Sequence, residues 1–239
     1  MSDDVMAPTI HPYYAARKPQ IVAEFLENVD LVAAEFTAQA PAVALMRIKL
    51  ETVEEMENVF PTIPYVGGEI GRMTTFFEQN VGIIALGRVL RRHGLGKKAI
   101  SLLLRRTFLA RLSSLPKEDR FALGRQWLSE KNQAYLRVMA PESEKRGNPG
   151  DFVYAYVEGG DTEDGDRFEF GLDYHECGFC KLCKSNGDED LLPMMCAMDD
   201  EVYGLRGVKL FRTTTLAGGD KKCNFRFRAM TDDEAAEFD

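Results

Sequence analysis

Three thiols in the run Cys177-x-x-Cys180-x-x-Cys183, followed by Cys196 and Cys223, form the densest group of reactive side chains in this 239-residue chain. At three-residue spacing, thiols share one face of a helix or wrap one metal ion. Three chemistries use such a run. An iron–sulfur cluster takes C-x2-C-x2-C but also a short return to a fourth Cys followed by Pro, which this sequence lacks. A zinc site could draw on Cys177, Cys180, Cys183 and Cys196, with His175 beside them. Reduced thiols lining a pocket, one or two reactive and the others packing, are the third option. The cofactor is therefore left open, with zinc as the candidate. His175 stands two residues before Cys177 and could polarise a thiol or carry a proton near neutral pH; it could equally be a surface residue. Asp199 follows Cys196 closely and could orient a base, bind a cation or cap a turn.

Other familiar chemistries find no support. Gly67-Gly68-Glu69-Ile70-Gly71 lacks the dinucleotide-binding pattern and follows no strand, and the acidic stretch Asp161-Thr162-Glu163-Asp164-Gly165-Asp166 misplaces the glycine of a calcium loop. No G-x-S-x-G, H-E-x-x-H or phosphate-binding loop occurs. Thirty basic against 38 acidic residues leave a net charge of −8, which argues against nucleic acid as a partner because phosphate neutralisation needs clustered Lys and Arg. The apolar stretches fall short of a membrane span and the N-terminus lacks a basic-then-apolar leader, so the expectation is a cytoplasmic protein acting on a small molecule, off the membrane. An odd number of cysteines confined to 177–223 fits reduced thiols better than a disulfide framework. A homo-oligomer is left open.

The elements that must position these groups change character near residue 150. Up to about residue 140, apolar residues recur at helical intervals: Ile21, Phe25, Val29, Val32 and Phe36 in one stripe, and Phe76 to Leu90 in a second ended by Gly94. A third helix is expected at about 99–112, and a fourth, opened by Pro116, carries Phe121, Trp127, Leu128, Tyr135 and Val138. After a charged, Gly- and Pro-containing loop at 141–151 the period becomes two. Residues 152–172 read as a hairpin around the turn 159–166, and 207–216 with 223–229 read as a second around 217–222. The cysteine-bearing stretch 174–203 lies between them and reads as mostly helical. The expectation is one α+β domain over 1–239. Its helical half, 1–140, packs on a C-terminal antiparallel sheet, with sheet and Cys-rich helical insert together spanning 150–230.

Four pieces of the C-terminal third resemble the family of L-2-amino-thiazoline-4-carboxylic acid hydrolases. They are Cys177 after the first hairpin; Cys196-Ala197-Met198-Asp199; Arg212-Thr213-Thr214-Thr215-Leu216; and Gly219-x-x-x-Cys223-x-Phe225-Arg226-Phe227. Ile63-Pro64-Tyr65-Val66-Gly67-Gly68 and Arg92-His93-Gly94 add similar stretches in the N-terminal half. Asn224 stands where an acidic residue is common, and Cys180 and Cys183 are extra to the pattern. The resemblance implies hydrolytic opening of a thiazoline to an N-carbamoyl cysteine, through a cysteine thiolate or a thiolate-bound metal. It also implies that Cys177, Cys196 and Cys223 converge in space, and that Ser at these three thiols abolishes activity while Ser at Cys180 or Cys183 does much less; Asp199 and His175 are the further candidate catalytic residues. A guanidinium could clamp the substrate carboxylate. In strands of period two, Arg212 and Thr214 share a face, as do Cys223, Phe225 and Phe227, with Arg226 opposite; Arg212 and Thr214 are therefore the expected substrate contacts. The alternative is a non-catalytic protein that holds a metal or thiophilic ligand in the same cysteine pocket.

Overall fold

Helices follow the apolar stripes of the first part of the chain, with breaks the stripes do not signal. In a computed structural model, which describes residues 9–236 and 238, the chain groups into two compact units, Met1–Phe108 and Leu109–Asp239. Residues 1–8, where the absence of a leader was read, lie outside the described residues.

The first unit holds α1 (Pro12–Leu31), α2 (Ala33–Gln39), α3 (Leu45–Val59) and α4 (Thr74–Arg92). The stripe from Ile21 to Phe36 is one apolar face carried by two helices, because Val32 leaves the helical region at φ −117°, ψ 27°. On α4 every residue from 80 to 87 is buried, so this helix has no wet face along that stretch. Charges at its margin are paired: Glu55 of α3 accepts from Arg88 at 3.0 Å and also from Arg92. Helix α4 ends as its sequence requires, with two arginines in the last turn and Gly94 at φ 73°. Among the described residues no helix is long and apolar enough to cross a membrane.

The division between the units falls inside α5 (Lys97–Ser114). The fourth expected helix is two, α6 (Lys117–Leu128) and α7 (Glu130–Ser143), because Ser129 is extended and its hydroxyl caps Asn132 N–H. The sheet then forms from β1 (Val153–Asp161), β2 (Arg167–Glu176), β3 (Val208–Phe211) and β4 (Cys223–Ala229), all antiparallel neighbours in the order β1-β2-β4-β3. Between β2 and β3 run α8 (Gly178–Asn186), α9 (Leu192–Cys196) and α10 (Met198–Gly204); α11 (Asp232–Ala236) follows β4. The protein is thus α+β, with helices and antiparallel strands in separate runs.

Register explains which residues face the core. Tyr156, Leu172 and Phe225 lie opposite one another, as do Phe170, Phe227 and Leu210, and Tyr174 and Cys223. This face packs with Trp127, Leu128, Leu136, Met139 and Ala140 of α6 and α7. Burying each of Phe170 and Phe227 completely is worth roughly 2–3 kcal/mol. Arg226, on the opposite face, donates to Asp173 at 2.8 Å. One close approach is specified by glycine: a Cβ at Gly124 of α6 would sit 1.9 Å from the carbonyl oxygen of Arg206, so α6 reaches the chain just before β3 only because nothing projects there.

One strand expectation is corrected. Strand β3 stops at Phe211, so residues 212–216 are not strand and Arg212 and Thr214 share no sheet face. Side chains take the place of the ladder there, as the site shows.

Candidate active site

Strand β2 ends by delivering Cys177 to the start of α8. Just before it, the β1 pairing steps from Tyr154 opposite Tyr174 to Val153 opposite Glu176, leaving His175 as the extra residue of a bulge. His175 is exposed. The structure therefore does not join it to the thiols.

Cys177 is extended (φ −120°, ψ 115°) and caps α8: its Sγ accepts the backbone N–H of Cys180 at 3.4 Å. A thiol here does what Ser or Asp does at other helix starts. The two side chains are also hydrogen-bonded to each other. That bond, with burial, holds the Cys177 thiol well above its ordinary range and pulls Cys180 below it, helped by Lys184. One proton is thus shared across a pair of sulfurs. Cys183, one turn further, is fully buried on the same face as Phe179, Cys180 and Leu182.

Arg212 ties the other half of the site together. Its Nη1 donates to Asp199 in the first turn of α10, its Nη2 donates to the carbonyl of Cys196 at 2.7 Å, and its guanidinium lies 5.0 Å from the centre of the Phe225 ring. Only 7% of its side chain is exposed, against 34% for Asp199. Arg212 is accordingly committed to the protein, bracing the Cys196–Asp199 corner. Protein crowded around the open edge of Asp199 raises its carboxyl from 3.8 to about 6, with Arg212 pulling the other way. The Cys196 thiol is pushed up to about 12 by burial and by the charge of Asp199. Burial also raises Cys223, whose Sγ accepts the Leu216 N–H at 3.2 Å.

These groups lie close enough for their charges to act on one another. Cys196 feels Asp199, Cys180, Arg212 and Cys223, and Cys177 feels Cys196. Thiols 177, 180, 196 and 223, Asp199 and Arg212 thus form one electrostatic neighbourhood. Among the described residues no three His, Cys, Asp or Glu side chains group as metal ligands.

Sequence reasoning missed the loop that carries Arg212. The Asn224 carbonyl oxygen accepts from Thr213 N at 3.0 Å and Thr214 N at 2.8 Å, while its amide donates to the Thr213 hydroxyl at 2.8 Å. Asp220 accepts from Thr215 N at 2.8 Å. These bonds hold 212–215 where a sheet ladder was expected. Thr214 Oγ1 is buried with no hydrogen-bond partner among the described residues. A carboxylate at position 224 could accept both N–H groups but could not donate to Thr213, so Asn is specific to this arrangement. Asn224→Ala, losing all three bonds in a half-buried setting, should lower stability by about 1–3 kcal/mol, with Asn224→Asp between the two. Melting curves of the three proteins check this, and an unchanged Asn224→Ala would mean that the loop is held some other way.

The model of the L-2-amino-thiazoline-4-carboxylic acid hydrolase family matches residues 97–227, more than half of the chain. The chain belongs to this family. The span matched to the hydrolase family contains all five cysteines, Asp199, Arg212 and Asn224, and it closes on Phe227, a fully buried residue of β4. The N-terminal stretches at 63–68 and 92–94 lie outside it. No curated protein and no solved structure matches the chain.

Proposed function

We propose that this protein opens the ring of a 2-amino-thiazoline carboxylate with water, forming a bond from oxygen to C2 and breaking the bond from C2 to the ring sulfur, to give an N-carbamoyl cysteine. The single observation that carries this reading is the gathering, inside the family-matched span, of a proton-sharing thiol pair and a near-neutral carboxyl. C2, bonded to two nitrogens and a sulfur, is electrophilic. Its ring sulfur leaves as a thiolate, so the chemistry needs a nucleophile, a proton for the leaving sulfur and a base for water.

The protonation pattern supports a division of labour. Cys196 and Cys223 stay protonated at neutral pH, whereas the Cys177–Cys180 pair holds an anion more easily than an isolated thiol does. The pair's resting anion is on Cys180; Cys177 is the less buried of the two, and its proton passes to the Cys180 thiolate along their hydrogen bond as its sulfur attacks. Addition of Cys177 to C2 and expulsion of the ring sulfur, which takes up a proton, give an S-linked intermediate. Asp199, with a pKa of about 6, then accepts a proton from the attacking water, and the Cys177 thiolate departs. Arg212 keeps Asp199 placed, and Thr214 offers its orphan hydroxyl to the substrate.

The test is direct. Reduced protein incubated with L-2-amino-thiazoline-4-carboxylate should release one new small-molecule thiol per turnover, with a product heavier by one water. Tight binding of the compound without any thiol release would favour the non-catalytic, ligand-holding alternative instead.

A further inference from the structure

Two sulfurs that share a proton at a helix start can also share a bond. Cys177 and Cys180 stand three residues apart, one as the cap of α8 and the other in its first turn, with the Cys177 sulfur 3.4 Å from the Cys180 backbone nitrogen. Side chains at this spacing lie about 5–6 Å apart at Cβ on a regular helix, and the extended backbone of Cys177 frees its side chain to close the remaining gap to the roughly 4 Å of a disulfide. Cys180 is extra to the family pattern in the sequence, so the pair is a property of this chain.

We propose that Cys177 and Cys180 form a reversible disulfide across the first turn of α8, making the pair a redox-sensitive modification site. The oxidant is a small disulfide of the glutathione class. Half-buried Cys177 passes its proton to the Cys180 thiolate and attacks one sulfur of the small disulfide, whose S–S bond breaks and releases one small thiolate. Cys180 then gives up its proton, attacks the Cys177 sulfur of the mixed disulfide and expels the second small thiolate. Two protein thiols are oxidised, one small disulfide is reduced to two thiols, and the protons end on those thiols. The lowered Cys180 thiol favours this resolving step. Cys183 is fully buried, beyond reach of the reagent. Cys196, protonated at neutral pH, is the weaker competitor.

The inference does not depend on the thiazoline reading, and its readout is a thiol map. Full-length protein is equilibrated with mixtures of reduced and oxidised glutathione, quenched by alkylation and mapped by peptide mass spectrometry. Wild type and Cys183→Ser should each lose two alkylatable thiols together, as one Cys177–Cys180 linkage that dithiothreitol reverses. Cys180→Ser should instead accumulate glutathione on Cys177, a result that also shows that Cys177 remains reactive in a folded chain. A linkage from Cys177 to Cys196, glutathione persisting on Cys177 of the wild type, or no oxidation across the series would overturn the proposal. Turnover measured on the same samples separates the two ideas: a linked pair with full activity would leave the disulfide standing and remove Cys177 from the catalytic reading.

Discussion

Asp199→Asn is expected to melt higher than the wild type at neutral pH while turning substrate over about a hundredfold more slowly or worse. The two effects have one cause. Asp199 titrates at about 6 in the folded chain and near 3.8 when solvated. A carboxyl with a raised folded-state pKa favours folding most when protonated. Its contribution is therefore fully present below about pH 4 and is lost as pH rises through about 6. At pH 7.5 the wild type holds an anion that the fold disfavours, and Asn removes it. Two pKa units correspond to about 3 kcal/mol, but with a third of the side chain open to solvent, screening reduces the gain to about 1 kcal/mol, or a few degrees of melting temperature. Melting both proteins between pH 4 and pH 8 checks the sign: the Asn variant should gain at the upper end and show no advantage at the lower. An equal deficit at both ends would mean that Arg212 loses more from its missing partner than the fold gains. Wild-type turnover should fall as pH drops through about 6, because the base for water becomes protonated.

Serine at Cys177 or at Cys180 should cut turnover about a hundredfold or more, and serine at Cys183 should leave it nearly intact. The sequence groups Cys180 with Cys183 as extras; the structure separates them. Cys180 shares a proton with Cys177, so replacing either member leaves the other as an ordinary, largely protonated thiol. A hydroxyl holds its proton far too tightly to stand in. Cys183 lies fully buried beside Phe179 and Leu182, where a hydroxyl costs about 1–3 kcal/mol of stability if it finds no partner. Turnover and melting temperature measured for all three variants decide the matter. Full activity in Cys180→Ser would show that the pair is not the source of the nucleophile.

The parts of this fold that depend on local pattern were legible. The switch from helical to alternating apolar spacing near residue 150 marks where helices give way to strands, and the alternation Cys223, Phe225, Phe227 places these three on the core face. Helix ends at Val32 and Ser129 were not, because apolar periodicity runs straight through both while the backbone turns. The stripe of Ile48, Thr52, Met56 and Val59, buried on α3, was readable in principle from its spacing. Arg212 and Thr214 fell outside a strand because Asn224, a distant residue in sequence, captures the backbone N–H groups of Thr213 and Thr214, and no local pattern announces such a bond. The same holds for the site. Cysteine spacing pointed to the candidate site, but the commitment of Arg212 to Asp199 and the exposure of His175 depend on how far-apart segments meet and on one bulged residue.

Trp127 is the one tryptophan in the sequence, and its ring lies 5.3 Å from Phe227, 5.6 Å from Tyr203 and 5.9 Å from Phe170, centre to centre. Tyr203 is on α10, one turn beyond Asp199. The protein therefore carries its tryptophan label in the unit spanning 109–239 and none in the other. Tryptophan emission, excited selectively, follows the loosening of the sheet core and of the helix that bears the carboxylate, whereas far-ultraviolet dichroism, dominated by helices, follows the whole chain. Comparing the two signals on heating tells, without any added dye, whether the two units come apart together or in sequence.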